Sequence, residues 1–131
     1  MANALTDDQQ QTLRQQLQTD YRQLRDTVHR ELLALDNERY ADLAGDVRDN
    51  GDASVADMLV DIDMELFGKH KNDLREIENA LSALGSDDFG YCEDCGKPIP
   101  FERLEVQPTA TRCVEDQERF EQQSGDQQPT L

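Results

Sequence analysis

The feature that most constrains this chain is a set of cysteines toward its C-terminal end. Cys92 and Cys95 are separated by two residues, and Gly96 follows directly. Two thiolates at this spacing can bind one metal ion from a single tight turn, and the glycine lets the backbone after them adopt a positive φ. After seventeen further residues comes a second turn of the same length, Cys-Val-Glu-Asp, which runs from Cys113 to Asp116. The spacing predicts a four-ligand knuckle in which a carboxylate replaces one thiolate.

Zinc is the metal that such a ligand set favours. Thiolates dominate structural zinc sites, and an aspartate oxygen is also an accepted zinc ligand. We therefore expect Cys92, Cys95 and Cys113 to bind zinc, with Asp116 as the fourth ligand. The alternative is that the cysteines are small apolar residues of a metal-free core, but Gly96 fits a knuckle better.

The region before the knuckle has the period of long helices. Thr6 followed by Gln9 is the signature of a capping box, which marks the start of a helix. Apolar residues then recur every three or four positions, as on one face of a helix, and no proline or glycine occurs before Gly45. This pattern predicts one helix over residues 7–44. Its apolar residues are Leu13, Leu17, Tyr21, Leu24, Val28, Leu32 and Leu35, with a weaker continuation at Tyr40 and Leu43.

A glycine- and aspartate-rich stretch, residues 45–52, predicts a turn after this helix. A second helix is expected over residues 53–84, with its own apolar stripe and with His70 between Leu66 and Leu74. Two such helices can bury their stripes by packing antiparallel. The fold class predicted is therefore mainly α: a long antiparallel coiled-coil hairpin, a small zinc-finger-like module and a short C-terminal helix.

The domain organisation follows from these elements. We expect a disordered N-terminus over residues 1–6 and a hairpin over 7–85 with an acidic tip at 45–54, placed at the end of the hairpin far from the knuckle. A knuckle module with its C-terminal helix should cover 86–123, and residues 124–131 should form a disordered tail. Six acidic residues and no lysine or arginine lie between Asp49 and Phe67, which makes the tip the most negative part of the hairpin.

Charge restricts the possible partners. The chain has 29 acidic and 13 basic residues, a formal net charge of −16, so its surface should repel nucleic-acid backbones and anionic membranes. No membrane span and no secretory signal are evident. An odd number of cysteines, two of them in a knuckle, favours a reducing compartment, and we expect a cytoplasmic protein. No arrangement of catalytic groups is visible, so an enzyme is not predicted.

The segments Asp88–Pro100 (DFGYCEDCGKPIP) and Glu102–Cys113 (ERLEVQPTATRC), placed after a predicted helical hairpin, carry a resemblance. The chain resembles the DksA/TraR family of bacterial transcription factors. The resemblance implies binding to RNA polymerase rather than DNA, by a monomer whose coiled coil enters the secondary channel of the enzyme. There the tip would change the stability of promoter complexes.

The resemblance also assigns functional residues. The Asp-x-x-Asp-x-Ala pattern of the family's tip falls on Asp49, Asp52 and Ser54, with serine in place of alanine. Basic positions that family members use with the alarmone ppGpp fall on Lys69, Glu76 and Gln117, of which only Lys69 is basic. Because a polyphosphate needs cations, the resemblance implies weak or absent ppGpp synergy.

Two further functions stay open at this stage. Cys92 and Cys95 could form a reversible disulfide in a thiol-based redox sensor. Alternatively, the hairpin could be a structural coiled-coil adaptor that binds another protein through its acidic face.

Overall fold

A computed structural model describes residues 5–62 and 65–125. Its helices are α1 (Asp7–Leu33), α2 (Glu38–Arg48), α3 (Val55–Met58), α4 (Glu65–Ala83), α5 (Phe101–Val106) and α6 (Val114–Gly125). In the described ranges the β structure is a single antiparallel bridge between Tyr91 and Pro98. The mainly helical fold class predicted above is confirmed. The chain forms two compact units, which we call the helical unit (residues 14–82) and the knuckle unit (residues up to 13 together with those from 83 onward).

The start of α1 follows the predicted capping box. Thr6 Oγ1 accepts a hydrogen bond from the Gln9 backbone N–H at 3.1 Å, and Gln9 Oε1 accepts one from the Thr6 N–H at 3.0 Å. Together these bonds satisfy donors that a helix N-terminus leaves free. Leu5 belongs to the segment 1–6 that was predicted to be disordered, but its side chain is buried. The remaining residues of that segment and most of the predicted tail lie outside the described residues.

The single helix predicted over residues 7–44 is wrong, because the chain turns at residues 34–37. Asp36 has a φ of +49°, in the left-handed region that aspartate and asparagine tolerate better than most residues. Asn37 then caps α2, its side-chain oxygen accepting a hydrogen bond from the Arg39 N–H at 2.9 Å. The Asp-Asn pair is a turn and cap signal in the sequence, and it ends the helix although proline and glycine are absent.

This turn sends α2 back along α1. His29 Nδ1 lies 2.8 Å from the Ala44 carbonyl oxygen, and Arg25 Nη1 lies 3.4 Å from Asn50 Oδ1. The earlier residue of α1 thus contacts the later residue of the pair, and the later residue of α1 contacts the earlier one. The chain from Asn37 to Asn50 therefore runs antiparallel to α1. The turn that was expected to begin at Gly45 begins at Asp49 instead, since α2 continues to Arg48.

The second long helix, predicted over residues 53–84, is also interrupted. The four-residue α3 is followed by backbone bonds of the i to i−3 type, among them Leu59 N–H to the Ala56 oxygen at 3.1 Å and Ile62 N–H to the Leu59 oxygen at 3.1 Å. Such bonds tighten the chain out of the α-helical path. The β-branched and acidic residues here are weak helix formers. The helix resumes as α4.

Helices α1 and α4 are antiparallel, as the predicted hairpin requires. Tyr21 pairs with Glu78, whereas Glu31, later in α1, pairs with His70, earlier in α4. The two predicted stripes form a core with contributions that periodicity missed: Ala44, Val47, Ala56 and the almost fully buried Phe67. The side chain of Leu66, which the stripe included, lies outside the described side chains.

The knuckle unit has a small apolar core of its own. Phe89, Ile99 and Leu104 are buried there, and the short helix α5 begins directly after Pro100. The C-terminal helix predicted from Cys113 to about 123 is present as α6. In the parts of the chain that the structure describes, no helix is both long enough and apolar enough to cross a membrane.

Candidate functional site

The four predicted ligands come together in the knuckle unit. One ligand atom from each of Cys92, Cys95, Cys113 and Asp116 can be chosen so that all four lie within 4.8 Å of one another. The Cys95 and Cys113 sulfurs are 3.9 Å apart, and Cys92 Sγ is 3.1 Å from Asp116 Oδ2. Two sulfurs on a tetrahedral zinc, each bonded at about 2.3 Å, are separated by about 3.8 Å. The residues therefore fit a zinc ion.

Backbone hydrogen bonds shape the first turn. The Cys92 N–H donates to the Lys97 oxygen at 2.8 Å, and the Gly96 N–H donates to the Cys92 oxygen at 2.9 Å. Gly96 has a φ of +75°, which confirms the positive value predicted for it and which a residue with a Cβ adopts only at a cost. The bridge between Tyr91 and Pro98 closes the turn.

The second turn is the start of α6. The Gln117 N–H donates to the Cys113 oxygen at 2.9 Å, so Cys113 stands at the N-terminus of the helix and Asp116 lies in its first turn. A carboxylate there is stabilised by the positive end of the helix dipole. Arg119 Nη1 lies 3.3 Å from Asp116 Oδ1, which leaves the other carboxylate oxygen to face the thiols.

Burial and hydrogen bonding give the ligands different proton affinities. Burial raises the pKa of the Cys92 thiol, but backbone N–H groups of Cys95 and Cys113 more than offset it, and the net pKa lies below its ordinary value. For Cys95, a backbone hydrogen bond from Lys97 lowers the pKa, whereas interaction with the Asp116 carboxylate and desolvation together raise it to about 11. Hydrogen bonds from the thiols, that of Cys92 foremost, hold the pKa of Asp116 below its usual value.

Two arginines that the sequence analysis had not linked to the site tie its turns together. Arg112 pairs with Glu93 at 2.6 Å and with Asp94 at 2.8 Å, and its guanidinium lies 4.1 Å from the centre of the Phe120 ring. Glu93 and Asp94 are both exposed, and each is paired with this arginine. Arg103 Nε donates to the Arg112 carbonyl oxygen at 2.9 Å. Matching opposite charges between the Cys92 turn and the segment before Cys113 was the signal for this contact.

The acidic residues of the predicted tip form a second candidate site, in the helical unit. Asp49 ends α2, Asn50 and Gly51 form the turn, and Ser54 caps α3. We call residues 49–54 the acidic loop. Asp49 and Asp52 are both exposed. Like-charged, solvated carboxylates of this kind can attract a cationic surface.

The acidic loop does not lie at the extreme of the hairpin, where it was predicted. Asn50 of the loop contacts Arg25 of α1, and Val55, directly after the loop, contacts Tyr21. These two α1 residues lie eight and twelve residues, and thus about 12 and 18 Å of helix, before the end of α1 at Leu33. The cause is the turn at residues 34–37, which directs α2 back along α1.

Ser54 is anchored rather than free. Its hydroxyl donates to Glu78 Oε1 at 2.6 Å and accepts from the Asp57 N–H at 3.0 Å. Glu78 also accepts hydrogen bonds from the Tyr21 hydroxyl at 2.7 Å and from the Ala56 N–H at 3.3 Å. Tyr21 was predicted only as a residue of the apolar stripe, and Glu78 was not singled out, although it lies four residues after Leu74 of the second stripe.

Comparisons with known proteins agree with this architecture. Residues 87–122 match the family described as the prokaryotic dksA/traR C4-type zinc finger. The solved structure of transcription factor DksA2 from Pseudomonas aeruginosa superposes with a TM-score of 0.60 and 31% sequence identity, covering 90% of this chain and 87% of that one.

Curated relatives are similar over a shorter share of their own length. The RNA polymerase-binding transcription factor DksA of Caulobacter vibrioides is 39% identical over 100 residues, which is 76% of this chain and 64% of that protein. DksA of Escherichia coli K12 is 31% identical over 93 residues, 71% of this chain and 58% of that protein. The chain thus spans less than two thirds of these relatives. From the zinc-finger match and the likeness to DksA2 across nearly the whole of both chains, we conclude that this protein belongs to the DksA/TraR family.

Proposed function

We propose that this protein is a transcription regulator, not an enzyme, that acts by binding bacterial RNA polymerase. The observation that carries the proposal is the likeness to DksA2, which extends over 90% of this chain and so includes both the helical unit and the zinc-finger match at residues 87–122. The curated relatives are named for polymerase binding. A negative surface with two exposed aspartates in the acidic loop suits a protein partner with basic surfaces and disfavours DNA and membranes. The proposal includes a monomeric, cytoplasmic protein.

In this proposal the acidic loop is the part that modulates the polymerase. Because the end of α1 and the turn at residues 34–37 extend beyond the loop, they would enter the secondary channel together with its carboxylates, which would alter the stability of promoter complexes. Entry would place Asp49 and Asp52 between protein walls, where charges interact more strongly than in bulk water. The affinity for the enzyme would come from the wider surface of the protein, and the regulatory effect from the loop.

The test separates binding from regulation. Purified protein is titrated against core RNA polymerase, and transcription from an rRNA-type promoter is measured on the same samples. The double variant Asp49→Asn with Asp52→Asn should lose most of the transcription effect while its Kd for polymerase changes less than about threefold. The matched control, Asp42→Asn with Asp46→Asn, removes two exposed charges from neighbouring α2. It should keep both the Kd for polymerase and the transcription effect of the wild type. Wild-type protein that does not bind polymerase contradicts the proposal.

Weak or absent ppGpp synergy is part of the same proposal. Lys69, the one basic side chain of the three family positions, is 2.9 Å from Asp73, Glu76 is exposed and acidic, and Gln117 bonds to Glu121 at 3.1 Å. Of these three positions, one offers a cation that is already paired and two offer none, so they supply little of the positive charge that a polyphosphate needs. Adding ppGpp to the transcription assay should therefore change the effect of this protein little, whereas a marked increase would contradict this.

One observation favours a redox function, but it concerns Cys95 and Cys113 and not the predicted pair of Cys92 and Cys95. Cys92 is buried and bonded to Asp116, whereas Cys95 is exposed and its sulfur lies 3.9 Å from that of Cys113. A disulfide would therefore join Cys95 to Cys113. Against this, the raised pKa of Cys95 disfavours the reactive thiolate in the metal-free protein. Thiols and metal content that stay unchanged after mild peroxide, measured by mass spectrometry, would exclude it.

A further inference from the structure

The acidic loop is held in place by one carboxylate that nothing in the proposed function uses. Glu78 lies on α4 with 17% of its side chain exposed. Both of its oxygens are occupied: Oε1 by the Ser54 hydroxyl and, at 3.6 Å, by Arg75, and Oε2 by the Tyr21 hydroxyl and the Ala56 N–H. A half-buried carboxylate that accepts this many donors is fixed in position, since the donors come from α1, from the start of α3 and from its own helix.

These contacts connect three helices to the loop. Tyr21 comes from α1, Glu78 from α4, and Ser54 ends the acidic loop as the cap of α3. The Tyr21 hydroxyl, besides donating to Glu78, accepts from the Val55 N–H at 3.1 Å. We call Tyr21, Ser54 and Glu78 the latch. The two backbone amides that follow Ser54 are both satisfied by it, and so the latch fixes the backbone at the C-terminal end of the loop.

The other end of the loop is held separately. Asn50 is buried, its amide oxygen accepts from Arg25 at 3.4 Å, and its amide nitrogen donates to the Ala53 carbonyl at 2.8 Å. Among the described residues, the side chains of Asp49 and Asp52 make no such anchoring contact, and both residues are exposed. The loop therefore consists of fixed anchors at residues 50 and 54 and two exposed carboxylates, one before and one between them.

We infer that Glu78 is a positioning residue, which acts through Ser54 and Tyr21 to hold the carboxylates of Asp49 and Asp52 in the arrangement that acts on the polymerase. The inference rests on the proposed function for its consequence, but the latch itself can be tested without polymerase. It also gives a role to the serine at position 54. An alanine there cannot donate to Glu78, so the hydroxyl and the glutamate work as a pair.

Amide hydrogen exchange measures the latch directly. In Tyr21→Phe, Ser54→Ala and Glu78→Gln, amides of residues 50–60 should exchange about tenfold faster or more, the factor expected for loss of a hydrogen bond to a charged group. Amides in the middle of α1 and in α6 should be unchanged. Ser54→Thr keeps the hydroxyl and should restore slow exchange. Loss of protection throughout the helical unit would instead show a general structural role and overturn the inference.

Matched controls remove the same groups elsewhere. Tyr40→Phe removes a hydroxyl from a residue that packs against the same core outside the latch, Glu76→Gln neutralises an exposed carboxylate on the same helix, and Ser82→Ala removes an exposed hydroxyl. None of the three should change exchange of residues 50–60. Equal acceleration in the controls, or none in the latch variants, overturns the inference.

The functional arm uses the same variants with core RNA polymerase. Latch variants should keep the wild-type Kd within about threefold and lose transcription effect in the order of their exchange rates, with Ser54→Thr retaining it. Faster loop exchange with an undiminished transcription effect overturns the positioning role. A wild-type protein that fails to bind polymerase refutes the proposed function and the role in it, while the exchange data still show whether the latch holds the loop.

Discussion

The helical unit and the knuckle unit are stabilised in different ways, and the sequence reveals the two to different degrees. The helical unit depends on a core of apolar side chains from α1 to α4. The knuckle unit has a smaller set of large buried residues, among them Leu13, Leu84 and Leu104, and adds backbone bonds, arginine pairs and four metal-ligand side chains. Metal ligands require particular residues at particular spacings, whereas an apolar stripe tolerates many chain paths. The spacing of metal-ligand residues therefore predicts where those residues lie in the fold better than hydrophobic periodicity predicts where helices begin and end.

Metal removal should give the largest difference between the units. Chelation, or Cys92→Ala, should lower bound zinc from about one per chain to almost none. Structural zinc binding in small modules contributes on the order of 10 kcal/mol to folding, so the knuckle unit should lose stability with the ion. Amides of residues 87–122 should lose protection, while those of residues 14–58 keep it. Mass spectrometry of the intact protein and hydrogen exchange measure both. Asp94→Asn, a change in the same turn at a residue that is not a ligand, should retain the metal, and equal loss of protection in both units would contradict the comparison.

A core truncation should have the converse effect. Leu32→Ala removes a fully buried side chain and should lower the free energy of unfolding by about 2–5 kcal/mol, without loss of zinc. Its neighbour Leu33 is 49% exposed, so Leu33→Ala makes the same chemical change and should cost within about 0.5 kcal/mol. Urea unfolding followed by circular dichroism measures both. Similar costs for the two variants would show that the predicted stripe does not face the core.

The carboxylate ligand gives a finer test within the knuckle unit. Asp116→Asn should weaken zinc binding by at least about 100-fold, since even changes to groups outside the ligand shell cost 10–100-fold. Asp116→Cys completes a four-thiolate set and should strengthen binding. Competition with a chromophoric chelator measures both affinities. Wild-type affinity in Asp116→Asn would show that Asp116 is not a ligand and that three thiolates hold the ion with water.

The turn at Asp36 can be tested by the sign of a stability difference. At a φ of +49°, glycine is easier to accommodate than alanine, so Asp36→Gly should be more stable than Asp36→Ala by about 1 kcal/mol. In the continuous helix that periodicity predicted, alanine would be the better residue by about the same amount. Asp42, in the interior of α2, is the control, and there alanine should win. If alanine is more stable than glycine at position 36 as well as at position 42, the chain does not turn at Asp36 and the continuous helix over residues 7–44 is correct.

Features that depend on residues close in sequence could be predicted, whereas features that depend on the path of the chain could not. The knuckle ligands, the positive φ of Gly96 and the capping box at Thr6 each depend on residues close in sequence, and each is found where predicted. The turn at residues 34–37 has neither proline nor glycine, and its Asp-Asn pair is a weaker turn signal than either, so periodicity predicted a continuous helix there. The latch joins residues 21, 54 and 78, and contacts over such separations depend on the chain path, which the stripe does not determine.

The smallest effect concerns the latch and high pH. Desolvation, together with the hydrogen bond to Glu78, raises the pKa of Tyr21 to about 12, whereas in the unfolded chain it is about 10. Above pH 10 the unfolded chain loses this proton before the folded chain does, so the contribution of Tyr21 to stability is complete below pH 10 and is lost as the pH rises toward 12. The difference in unfolding free energy between wild type and Tyr21→Phe should shrink over that range, and the difference between wild type and Tyr40→Phe should show no such change caused by the latch. A difference that stays constant with pH would mean that the pKa of Tyr21 is the same in the folded and the unfolded chain. The hydrogen bond from Tyr21 to Glu78 would then not hold its proton.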